Sequence, residues 1–134
     1  MMRRVMVDMS ATLLHHGHVR LLKRAKRLGV VVCALTTDDE IFLHKGYRPE
    51  LRYGQRKELI QAFRYVDEVV PSPWLISEKF LDEHKIDLLV HGHDNSNHVS
   101  AGRIIVFPRT EGISSSILRG RVLESVAGRF LSSK

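Results

Sequence analysis

Short β-branched apolar runs alternate along this chain with longer amphipathic stretches, and that alternation restricts the fold more than any single residue does. It is the pattern of strands laid parallel and joined by helical crossovers. Residues 4–9 and 30–36 read as the first two strands, linked by a helix over 17–28 that stops at Gly29. Farther on, the pattern predicts a helix over 53–65, a short strand over 68–70, a helix over 77–84 and strands over 87–91 and 104–107, with a last helix from about Ser114. The expected architecture is α/β, a Rossmann-like doubly wound parallel sheet of about five strands with flanking helices. Neither a repeat nor a linker divides it, so residues 1–134 are expected to form one domain. Residues 37–52 read as a long irregular connection, and such loops often close over ligands.

Composition narrows the class. With 43% hydrophobic and 27% charged residues the chain reads as a soluble protein, and no apolar run approaches bilayer length. Asp8 interrupts the first apolar run too early for a signal peptide, which makes the cytoplasm the expected location. Cys33 lies within an apolar run and is expected to be a buried, inert thiol. The net charge of +6 favours an anionic partner: nucleic acid, acidic lipid or a phosphorylated metabolite. Most of the basic residues at Arg20, Lys23, Arg24, Lys26 and Arg27 read as a solvated helix face.

In doubly wound sheets ligands bind beyond the carboxyl ends of the strands, so the residues after each strand carry the chemistry. After the first strand stands Ser10-Ala11-Thr12-Leu13-Leu14-His15-His16-Gly17-His18, with His15 and His18 at a helix start and a glycine between them. Glycine permits close backbone approach, helix-start N–H groups attract phosphate, and histidines there donate to phosphate oxygens. After the last strand, Pro108-Arg109-Thr110-Glu111-Gly112-Ile113-Ser114-Ser115-Ser116 places an arginine, a glycine and three serine hydroxyls at the start of the closing helix. Capping accounts for one or two of those serines, and the whole string reads as a second anion cradle.

These residues carry a family resemblance. His15-His16-Gly17-His18 resembles the HxGH signature of nucleotidyltransferases, and residues 109–115 resemble the RTEGIST signature of cytidylyltransferases. Arg56-Lys57 and residues 64–69 resemble two further segments of that family, so the likeness covers nearly the whole chain. It implies transfer of CMP from CTP to a small phosphate or phosphonate with release of pyrophosphate, Mg²⁺ being held mainly by the CTP phosphates. It implies catalytic roles for His15, His18, Lys45 and Arg109. It places Ser10, Ala11, Gly17, His93, Asp94, Arg109, Thr110, Gly112, Ile113, Ser114 and Ser115 against the nucleotide, and Thr12, Arg56, Arg64 and Trp74 against the acceptor. Met9-Ser10-Ala11-Thr12 stands where the glycerol-3-phosphate type has glycine, threonine, phenylalanine and aspartate, a difference in the direction of phosphonate enzymes. A homodimer is implied, with residues 64–69 at its interface, and neither nucleic acid nor membrane is an expected partner.

Two other enzyme readings stay open at the level of sequence. HxGH with a serine-rich closing helix also suits adenylyl transfer from ATP. Six of the eight histidines fall within residues 15–18 and 91–98, and with Asp94 they permit a metal-dependent hydrolase. A noncatalytic nucleic-acid binder fits the charge but lacks interleaved aromatics.

Overall fold

The computed structural model describes residues 2–92, 97 and 99–132, with side chains through residue 129. Five strands form one parallel sheet: β1 (Arg4–Met9), β2 (Val30–Thr36), β3 (Glu68–Ser72), β4 (Leu88–His91) and β5 (Ile104–Val106), in the order β3-β2-β1-β4-β5. The order reverses between β1 and β4, because the helix that follows β1 and the helix that precedes β4 cover opposite faces of the sheet. That reversal opens a crevice at the strands' carboxyl ends.

Both faces of the sheet are buried, which is why the strands read as continuous apolar runs rather than alternating ones. Val5, Val7, Val31 and Val90 pack with Leu22 and Ala25 of α1 (His16–Lys26) on one face. Met6, Val32, Ala34, Val70 and Leu89 pack on the other with Ile76, Ile86 and Leu81 of α4 (Glu78–Glu83). Cys33 joins a third cluster with Leu35, Val69 and Ile60 of α3 (Tyr53–Gln61), and burial pushes its thiol up to about 12, consistent with an inert side chain.

The first two strands lie where the apolar runs predict them, and other element ends differ by a few residues. The α3 helix ends at Gln61 rather than 65, because Ala62, Phe63 and Val66 turn the chain by bonds to carbonyls three residues back. The 37–52 connection is not wholly irregular: it begins with α2 (Asp38–Lys45). Thr37 Oγ1 caps the Glu40 N–H, acidic residues fill the first turn, and Gly46 ends the helix in the left-handed conformation at φ 78°. These are helix signals without an apolar stripe, so periodicity alone passes over them. The closing helix is α5 (Ser115–Ser132), and its residues 121–129 are exposed.

Candidate functional site

A cavity of about 470 Å³ opens at the β1/β4 reversal, walled by the segment after β1, the start of α1, the end of α2 and the start of α5. Both sequence motifs meet there. Ser10, Ala11, Thr12, His15, Gly17 and His18 line one side; Arg109, Thr110, Ile113, Ser114 and Ser115 line the other, and Lys45 closes the edge.

The two histidines are fixed by the helix they start. Gly17 N–H donates to His15 Nδ1 at 3.0 Å, and His15 N–H donates to His18 Nδ1 at 3.1 Å, a reciprocal capping arrangement of imidazoles. Since both Nδ1 atoms accept, each neutral ring carries its hydrogen on Nε2. The rings lie 4.0 Å apart between centroids. Burial, helped by the neighbouring His15, pushes the His18 pKa down to about 4. Burial, then His16 and Arg109, lowers His15 as well. The site therefore presents two neutral Nε2–H donors at neutral pH. Gly17 is required by space: a Cβ there would lie 2.8 Å from His15 Cε1. Its N–H is already taken by His15, so the close approach it permits is that of the imidazole.

Ile113 is buried, with its Cγ2 3.5 Å from the position a Gly17 Cβ would take, so the second motif packs on the first. Gly112 turns the chain at φ 76°, in the left-handed region. Ser114 Oγ accepts from Ile117 N–H at 3.0 Å as a helix cap, and Ser115 Oγ bridges the Leu13 N–H and carbonyl at 3.2 and 3.0 Å. Ser115 thus holds the motifs together and Ser114 caps its own helix, and the N–H groups of the first turn that Ser114 does not engage are positioned as anion donors. The strand-end segment is equally fixed. Ser10 Oγ donates to Thr36 Oγ1 at 3.4 Å, Thr12 is buried, and Ala11 adopts a positive φ of 48°, an uncommon conformation for alanine.

Arg56 is not among the residues that line the cavity. Its side chain is completely buried, and its donors reach the carbonyls of Ser10 (2.7 Å), Thr36 (2.9 Å) and Leu51 (3.1 Å) and the Asp38 carboxylate (2.6 Å). It braces the ends of β1 and β2 against α2. Arg64 also lies away from the cavity within this chain: it precedes β3, at the amino end of that edge strand, exposed and stacked 5.1 Å over the Tyr65 ring. Trp74 does not line the cavity itself but stacks on His44 at 4.9 Å, with the amine of the lining Lys45 5.6 Å from its ring. His93 and Asp94 lie outside the described residues, as does His98.

Residues that the motifs do not name also line the cavity. Arg20 and Arg24, read as a solvated face, turn toward it, and Arg119 and Tyr47 close it from α5 and the connection. Their i, i+4 spacing puts Arg20 and Arg24 on one side of α1, a signal that acquires meaning only once the side facing the ligand is known. Asp8 on the floor is 2.6 Å from His91 Nδ1 and accepts from Asn97 at 3.2 Å; Asn97 in turn accepts from Ile76 N–H at 2.6 Å. Among the described lining residues Arg20, Arg24, Lys45, Arg109 and Arg119 face a single carboxylate, Asp8. The field favours a polyanion. No group of three histidine, cysteine or carboxylate side chains able to hold a metal occurs among the described residues.

Comparison with known proteins agrees with this geometry. The profile of the Cytidylyltransferase-like family matches residues 11–121. Glycerol-3-phosphate cytidylyltransferase of Bacillus subtilis is 34% identical over 95% of this chain and 99% of its own length. The mouse ethanolamine-phosphate cytidylyltransferase is 36% identical over 90% of this chain, which spans 32% of that longer protein. A Thermoplasma volcanium structure described as a lipopolysaccharide core biosynthesis protein shares the fold at a TM-score of 0.69, with 24% identity over 82% of this chain and 99% of that one. With both signature segments meeting at one cationic cavity and the family profile spanning them, the chain belongs to the cytidylyltransferase-like family.

Proposed function

We propose that this chain transfers CMP from CTP to a small phosphate- or phosphonate-bearing acceptor and releases pyrophosphate. Family membership makes it a nucleotidyltransferase enzyme; the nucleotide and acceptor classes are inferred from the site and from the relatives. The observation that carries the reading is the meeting of the two histidine Nε2–H donors with Arg109, Lys45 and the start of α5 around one cavity.

In the proposed reaction an acceptor phosphate or phosphonate oxygen forms a bond to the α-phosphorus of CTP. The bond from that phosphorus to the bridging oxygen of the β-phosphate breaks, and pyrophosphate leaves with the electron pair. The attacking oxygen is already ionised, so no side-chain nucleophile or base is needed, and catalysis consists of alignment and charge stabilisation. His15 and His18 donate from Nε2 to the phosphate oxygens on which charge builds. Neutral imidazoles donate without giving up a proton, and their pKa values below the usual histidine range keep them in that form. Arg109 and Lys45 add fixed positive charge. Asp8, the one carboxylate among the described lining residues, is engaged by His91 and Asn97. In this reading Mg²⁺ would be held mainly by the nucleotide phosphates and would offset charge on the leaving pyrophosphate.

The acceptor is met by Thr12, which lines the cavity, and by Trp74, which stands beside the lining Lys45. A cytoplasmic homodimer is part of the proposal, with residues 64–69 at the interface. Arg64 is exposed there, held against Tyr65. No helix among the described residues is long and apolar enough to cross a membrane.

Phosphorus NMR tests the reaction. Incubation with Mg²⁺, CTP and a panel of glycerol phosphate, ethanolamine phosphate, choline phosphate, aminoethylphosphonate and hydroxyethylphosphonate should give pyrophosphate and one new cytidine-linked diester or phosphonate anhydride. A coupled product formed from ATP alone would contradict the proposal.

A further inference from the structure

Arg119 belongs to neither signature segment, yet its side chain lines the cavity one helical turn beyond Ser115 and Ser116. One edge of its guanidinium is fixed: Nε donates to both carboxylate oxygens of Glu50, at 2.7 and 2.9 Å. Its carbon also lies 4.7 Å from the Tyr47 ring centroid. The adjacent amino group differs. Arg119 Nη2 is buried and makes no hydrogen bond. A buried guanidinium nitrogen without an acceptor is costly, and such groups are found where a ligand supplies the missing oxygen. Glu50 alone accounts for Nε and leaves Nη2 unexplained. Lys45 and Tyr47 line the same cavity from the connection opposite, so an anion near Nη2 meets positive charge from both sides.

We propose that Arg119 is a nucleotide-binding residue that donates from Nη2 to a phosphate oxygen of the triphosphate, while Glu50 acts as a positioning residue that holds the guanidinium in place. This inference rests on the nucleotide reading above and adds to it a phosphate contact outside both motifs. The clasp joins α5 to the connection that carries Lys45, so occupancy of Nη2 ties the two walls of the cavity together.

The test uses the full chain, with inorganic tripolyphosphate binding measured by calorimetry beside KM for CTP. An arginine–phosphate hydrogen bond of the usual strength predicts that Arg119→Ala weakens tripolyphosphate and raises KM by about 10- to 100-fold. Arg119→Lys keeps the charge but cannot hold Glu50 and a phosphate oxygen through one planar fork, and falls between. Glu50→Ala keeps the donor and removes only its brace, so its loss is smaller than that of Arg119→Ala. Equal losses in Arg119→Ala and Glu50→Ala, with parallel falls in melting temperature, would show a structural strap and overturn the proposal. So would unchanged tripolyphosphate affinity in a folded Arg119→Ala. Arg119-dependent tripolyphosphate binding without CTP turnover would uphold the phosphate contact and overturn the CTP reading alone.

Discussion

At the scale of residues, the site depends on two imidazoles whose orientation is set by the backbone. Gly17→Ala places a methyl group against the His15 ring, 2.8 Å from Cε1, and must rotate that ring out of its cap. The predicted result is a fall in kcat of roughly 100-fold or more, the usual effect of losing one oriented donor, with the circular dichroism spectrum retained. His18 also links the site to pH. Its folded pKa of about 4 lies below the reference 6.5, so protonation favours the unfolded chain. Stability from this group is complete above pH 6.5 and is lost as pH falls toward 4. Urea unfolding at pH 7.5 and pH 5.0 should therefore differ by about 2 kcal/mol more in the native chain than in His18→Asn. The positions of these residues were legible because HxGH is a short, contiguous pattern. The bonds to Nδ1 were not, since they depend on side-chain rotation about a helix start.

At the scale of elements, Arg56 carries the largest structural consequence. It ties together carbonyls after β1 and β2, the loop at Leu51 and the first turn of α2. Arg56→Ala leaves Asp38 and three carbonyls without their partner, and is predicted to cost about 3–5 kcal/mol in denaturant unfolding, as for other broken buried ion pairs. A selective rise in KM for the acceptor with unchanged stability would contradict this role. The sequence places Arg56 in a recognisable segment but does not reveal which way it faces, because an arginine between polar neighbours reads as exposed. The α2 helix was missed for a related reason: caps and charges define it, while Ile41 is its one buried residue. Strands were clearer, since burial on both faces leaves continuous apolar runs.

At the scale of the whole molecule, topology gathers distant charges at one end of the sheet. Arg20 and Arg24 come from the first crossover, Lys45 from the second, and Arg109 and Arg119 from the last segment. Raising salt from about 0.05 M to about 0.5 M shortens the screening length several-fold, and KM for CTP should rise several-fold while the melting temperature changes little. The α/β class and the place of the cavity at the strand reversal were legible from the alternation and the post-strand motifs. The cationic wall was not, because its residues are separated by up to a hundred positions and meet only through the crossovers.

The central claim is CTP-dependent transfer supported by the two histidine donors. The most direct measurement is pyrophosphate release with Mg²⁺, an acceptor panel and either CTP or ATP, in the native chain and in a folded His18→Ala variant. The account predicts acceptor-dependent release from CTP that falls by about 100-fold or more in the variant. Release from ATP alone, or release from CTP that is unchanged by the substitution, would contradict it.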